Sequence, residues 1–193
     1  METVVGCSVG TGWAVLVSIA AEGPEFREPQ VVDRRRVDLV PGPDRFAYHI
    51  AAEQAPDAAQ KLVADVHAQA AAAATAAVGG LESAADLAGA VVVGAAPATG
   101  GLAPVPECVR THTTIHTAEG ALYRSVLWDA FGDRGVTVSA VARDELPEEV
   151  ALALGRDTAT VQALVAELGK ALGPPWRREQ KEAALAAWWG LTT

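Results

Sequence analysis

Thr3-Val4-Val5-Gly6-Cys7-Ser8-Val9-Gly10-Thr11-Gly12-Trp13-Ala14-Val15-Leu16-Val17-Ser18-Ile19 carries the strand and turn signals on which the fold assignment rests. Val15, Val17 and Ile19 alternate with smaller residues, and β-branched residues at a period of two specify a strand. Thr3-Val4-Val5 starts another strand just before it, and Gly6, Gly10 and Gly12 mark a tight reversal between the two. Gly23-Pro24 signals a second turn. Val31-Val32 through Val37, Leu39 and Val40 then gives a third strand, closed by Pro41-Gly42-Pro43. The first forty residues therefore read as a three-stranded antiparallel meander.

Beyond it the pattern changes period. Ala51 to Val78 is rich in alanine, the best helix former, with an apolar stripe at Leu62, Val63 and Val66, and Gly79-Gly80 ends it. Ala90-Val91-Val92-Val93, inside Leu87 to Gly94, is an unbroken apolar run that suits a strand buried on both faces. Pro97 to Pro106 reads as a loop and about Glu107 to Phe131 as one long helix, stopped by Gly132 and Gly135. Val136 to Val141 alternates as a strand. Helices follow over Glu148–Leu154 and, with Thr158 as N-cap, up to Leu172; Pro174-Pro175 opens a last helix over Trp176–Trp189. With no internal repeat and no composition shift, residues 1–193 are expected to form a single domain.

The order β-β-β, helix, β, helix, β, helices resembles the ribonuclease H-like superfamily. Val5-Gly6-Cys7-Ser8-Val9-Gly10-Thr11 is similar to the start of RuvC-type resolvases and actin-like ATPases, and Ala183-Ala184-Leu185-Ala186 to the final helix. The resemblance implies an α/β fold with a five-stranded mixed sheet, three antiparallel strands then two parallel ones, and helices on both faces. It also implies carboxylates on the first strand, the fourth strand and a late helix, holding two Mg²⁺ or Mn²⁺ ions for phosphodiester cleavage. Here the first-strand position is Ser8, Val91-Val92-Val93-Gly94-Ala95 contains no acid, and only Glu179 and Glu182 lie on the final helix. A hard divalent ion wants several charged oxygens, and serine is a poor replacement. RuvC-like cleavage is therefore not expected.

Chemistry concentrates instead in His112-Thr113-Thr114-Ile115-His116-Thr117-Ala118-Glu119-Gly120-Ala121-Leu122-Tyr123. On a helix His112, His116, Glu119 and Tyr123 fall within about 60° of one another, beside an apolar stripe of Ile115, Leu122 and Val126. Histidines at i and i+4 can share a divalent metal, with Glu119 as a further ligand or orienting His116. His112 and Glu119 are about 10 Å apart along the axis, so one straight helix fits poorly as the sole source of ligands. His49 or Asp144 are candidates to complete such a site. The alternative is a partly buried polar seam, with Glu119 bonded to His116 or Arg124.

Gly6-Cys7-Ser8-Val9-Gly10 matches the letters of a nucleophile elbow, but that motif needs a strand-to-helix turn and here strand follows strand. Cys7, with no basic neighbour, reads as an inert core thiol. Ser8, Gly10 and Thr11 are the candidate cofactor contacts, since a glycine loop can cradle phosphate through its amides. The commoner explanation of such a loop is a β-turn. Arg34-Arg35-Arg36, with Arg177, Arg178 and Lys181 beside Trp176, could contact phosphate with the indole stacking on a base. Interleaved Asp33, Asp38, Glu179 and Glu182 favour a solvated face instead. Trp176, Trp188 and Trp189 lie close together on the last helix, and tryptophan is enriched in interface anchors, which suggests a homodimer through that helix.

Composition bounds these readings. The chain has 193 residues, half of them apolar, enough to bury roughly 70% of the unfolded surface. A net charge of -9 disfavours nucleic acid as a partner through the global field, though not through a local basic patch. The two cysteines, Cys7 and Cys108, and the absence of a basic leader point to the cytoplasm. The apolar run from Trp13 to Ile19 is too short to span a bilayer. Two functions remain: a catalytically degenerate ribonuclease H-like module for binding or assembly, or a metal-dependent or acid–base hydrolase built on the histidine row.

Overall fold

The computed structural model describes residues 2–22, 29–81 and 87–193; the turn expected at Gly23-Pro24 lies outside them. Five strands, β1 (Glu2–Gly10), β2 (Trp13–Ala21), β3 (Gln30–Asp38), β4 (Leu87–Val93) and β5 (Val138–Val141), form one sheet in the order β3-β2-β1-β4-β5. β1 pairs antiparallel with β2, and β2 with β3; β1 and β5 both pair parallel with β4. The meander and the two parallel strands expected from the sequence are therefore present.

Period-two alternation makes each central strand serve two cores. Val5, Cys7, Leu16, Ala90 and Val92 face one side, covered by α1 (Ala47–Ala51), α2 (Pro56–Gly79) and α4 (His112–Gly132). Val4, Val15, Val17, Val91 and Val93 face the other, under α5 (Leu146–Ala153), α6 (Thr158–Leu172) and α7 (Arg178–Gly190). α7 lies directly over β1, β2 and β4 because the residues between them are small. A Cβ on Gly6 would sit 1.9 Å from the Ala183 carbonyl oxygen. Trp188 closes this layer with no exposed surface.

Several boundaries differ from the sequence expectation. The Ala-rich helix starts at Pro56, and a separate short helix, α1, precedes it. The long helix expected from Glu107 is two helices, α3 (Val105–Cys108) and α4. Thr111 interrupts them: its Oγ1 accepts from the Thr114 N–H at 3.1 Å and its own N–H donates to Thr114 Oγ1 at 3.0 Å. This reciprocal cap starts a new helix at His112. The cap of α6 is Asp157 rather than Thr158, since the Asp157 carboxylate accepts from the Thr160 N–H at 2.8 Å. The last helix begins at Arg178, not Trp176, whose indole N–H instead donates to the Val165 carbonyl. Among the described residues no helix is long and apolar enough to cross a membrane.

Candidate functional site

Two groups of polar side chains lie towards the end of the sheet where β1 and β4 finish. The first is built around Ser8, which is 1% exposed on β1 and donates to Glu182 Oε2 at 2.9 Å. Glu182 Oε1 accepts from Arg178 Nε at 2.8 Å, one helical turn away, and Oε2 lies 3.3 Å from Arg143 Nε. Gly94 ends β4 at a φ of 121°, where Arg124 of α4 packs against it and donates to the Ala95 carbonyl at 3.2 Å. Burial, and then the positive charge of Arg143, push the Arg124 guanidinium below its ordinary range.

This is where a ribonuclease H-like fold would hold its paired divalent ions, and the donor set does not fit them. One carboxylate, already shared by two guanidiniums and a hydroxyl, cannot supply the several charged oxygens that a hard cation needs. Sequence reasoning named Ser8 and Glu182 but did not join them to Arg143, because that contact brings the end of β5 onto α7. Gly10 and Thr11 are the end of β1 and the first residue of a two-residue hairpin turn, with Gly10 paired to Trp13. Gly12 takes a φ of 81° there, and its carbonyl accepts the N–H groups of Leu39 and Val40. The stretch that resembles an elbow or a phosphate loop is thus strand and hairpin.

The second group is the histidine row, which the fold divides. His112 and His116 are exposed, with their Nε2 atoms 3.2 Å apart. Glu119 and Tyr123 point inward, both 1% exposed. Tyr123 donates to the Arg45 carbonyl at 2.7 Å, and burial followed by the charge of Glu119 raises its phenol above the ordinary range. Glu119 bonds neither His116 nor Arg124: its Oε1 accepts from His49 Nδ1 at 2.8 Å. Its Oε2 is buried and has no hydrogen-bond partner among the described residues.

His49 is the residue that completes the constellation, while Asp144 is not part of it. α1 lays its ring against His112 and His116, and one nitrogen or more from each of the three lies within 4.8 Å of the others. Only its being one of four histidines marked it in the sequence; the five-residue helix that carries it is too short for a periodic signal. α4 returns antiparallel to β4, so its first turns overhang the same sheet end as Ser8. His116 lies eight residues before Arg124, about 12 Å along the axis.

The three arginines of β3 are committed to local contacts. Arg34 donates to the Gly173 and Pro175 carbonyls, Arg35 pairs with Asp33, and the Arg36 guanidinium stacks 4.3 Å over the Trp13 ring. Trp176 packs against Gly169 and Trp189 is half-buried against the α7 core. A groove of about 960 Å³ between α2, α4 and residues 97–108 is lined by Tyr48, Val63, His67, Leu102 and Cys108, and is mainly apolar.

A five-stranded β3-β2-β1-β4-β5 sheet with helices on both faces is the ribonuclease H-like fold. Within that class the fold is that of RuvC. The chain superposes on Thermus thermophilus RuvC with a TM-score of 0.56 at 14% identity, covering 99% of this chain and 94% of that one. It superposes equally on T. thermophilus RuvC in complex with Holliday junction substrate, with a TM-score of 0.57 at 12% identity, covering 100% and 94%. No protein-family model matches the sequence, and neither does any curated protein.

Proposed function

We propose that this chain is a RuvC-like domain that binds at its strand ends and does not cleave by the paired-metal route. The observation that carries this is the replacement of an acidic cluster by Ser8, Glu182, Arg143 and Arg178, joined to one another. Two guanidiniums, Arg143 and Arg178, share one carboxylate, and the Arg124 guanidinium is near enough to Arg143 to feel its charge, which makes this strand end a local anion site. A phosphate of a nucleic-acid backbone is the ligand class that suits it. RuvC from T. thermophilus has been captured with a Holliday junction, which makes branched DNA the first probe. The net charge of -9 works against tight binding, so the contact is expected to be local and salt-sensitive.

The test is fluorescence anisotropy of a labelled four-way junction at low salt, run beside a nicking assay with Mg²⁺ and with Mn²⁺. Saturable binding, lost in Arg143→Glu, with no nicked product is the expected result. Nicking by the wild-type chain overturns it. An assembly role through α7 is read from the native mass in the same preparation, where Trp189→Ala would release a homodimer. The convergence of His49, His112 and His116 supports a second reading, a metal-dependent or acid–base hydrolase using that row.

A further inference from the structure

We propose that His49, His112 and His116 bind one zinc-class divalent ion through three imidazoles, with Glu119 holding His49 in the ligating tautomer and a fourth position left open. This rests on the second reading above and not on the strand-end site.

The distances carry the first part. Zinc binds imidazole nitrogen at about 2.0–2.1 Å, so tetrahedral ligand nitrogens stand about 3.3 Å apart. His112 and His116 meet that spacing at 3.2 Å. The widest separation in the group, 4.8 Å, leaves about 1.5 Å to close, which a small ring rotation supplies. His112 and His116 are exposed and His49 is partly so, leaving those rings room to turn.

Glu119 carries the second part. By accepting the His49 Nδ1–H at 2.8 Å it places the proton on that nitrogen and leaves the lone pair on Nε2 free to ligate, on a ring that lies against the other two. Carboxylate behind histidine is the usual support of a metal-bound imidazole. Glu119 is also buried with Oε2 unpartnered, a costly position for a carboxylate. A cation on His49 would offset that cost by facing the buried charge across one ring.

The donor set selects the ion. Among the described residues the cluster offers three nitrogens and no carboxylate ligand, which suits zinc and discriminates against Mg²⁺ and Ca²⁺, which need oxygen. Three protein ligands and an exposed mouth match the open kind of zinc centre, which keeps one place for a water or a substrate oxygen.

The test is isothermal titration of ZnCl₂ into untagged, chelator-stripped protein, with elemental analysis of the loaded sample. One ion per chain is expected. His112→Ala and His116→Ala, both at exposed positions, should each abolish the saturable phase while the circular dichroism spectrum stays unchanged. Glu119→Gln should bind 10–100-fold more weakly and shift the visible spectrum of the cobalt(II)-substituted protein. His49→Ala should bind more weakly too, and Mg²⁺ should give no heat. Absence of zinc uptake overturns the site, as does uptake that survives both surface histidine substitutions. Because metal is measured directly, a failed hydrolase assay on the loaded protein counts against the hydrolase reading alone.

Discussion

Replacing Gly6 by alanine tests the packing that positions the strand-end site. α7 crosses β1 so closely that the new Cβ would lie 1.9 Å from the Ala183 carbonyl oxygen and 2.6 Å from the Ala187 nitrogen. Ordinary contact starts near 3.4 Å, so the helix must retreat by about 1.5 Å, and both obstacles are backbone that cannot rotate away. Overpacking a core costs about 1–3 kcal/mol, and a backbone collision belongs at the top of that range. For a chain of this length about 3 kcal/mol lowers the melting temperature by roughly 6–12 °C. Glu182 precedes Ala183, so the Ser8–Glu182 hydrogen bond should open as well. The control is Gly89→Ala, where the nearest atom to the new Cβ, the Thr137 carbonyl oxygen, is 3.5 Å away. Thermal denaturation followed by circular dichroism should show the Gly89 variant within about 2 °C of the parent, since it introduces no clash. A Gly6→Ala variant that also melts within about 2 °C would refute the close approach of α7.

Three further outcomes follow from buried groups. Trp188→Ala, which empties a fully buried site under α7, should cost about 3–5 kcal/mol in urea denaturation. Tyr123→Phe should cost about 1–3 kcal/mol in the same assay, because the Arg45 carbonyl loses its donor inside the core. Burial pushes the Cys7 thiol up to about 12, against an ordinary value near 9 in the unfolded chain. The folded state therefore keeps its proton where the unfolded state loses one. Stability from this group is complete below about pH 9 and falls as the pH rises towards 12. Alkaline denaturation curves should be shallower for Cys7→Val, and Ellman's reagent at pH 8 should label Cys7 only after unfolding.

How much of this could be read from the sequence follows from the range of the interactions. Alternation of Val15, Val17 and Ile19, the unbroken Ala90–Val93 run and the glycines before Trp13 are local patterns, and they set the strands and their order. The missing acids at Ser8 and at 91–95 were also plain, since a residue type needs no coordinates. Helix ends depended on side-chain bonds: the Thr111–Thr114 pair split one expected helix into two, and Asp157 took the cap from Thr158.

Helical spacing grouped His112, His116, Glu119 and Tyr123, but periodicity says which residues share a face and nothing of what covers it. The fold decided that Glu119 and Tyr123 turn into the core while His112 and His116 stay in solvent. It also brought His49 across seventy residues to Glu119, and Arg143 to Glu182 from separate elements. Residue type and period were enough to place the strands, their apolar character and the absence of acids at Ser8 and at 91–95, while the pairing of the strands into one mixed sheet was expected only from the family resemblance. Which polar groups meet at the strand ends is set by the packing of α1 on α4 and of α7 on β1, and neither contact leaves a local trace in the chain.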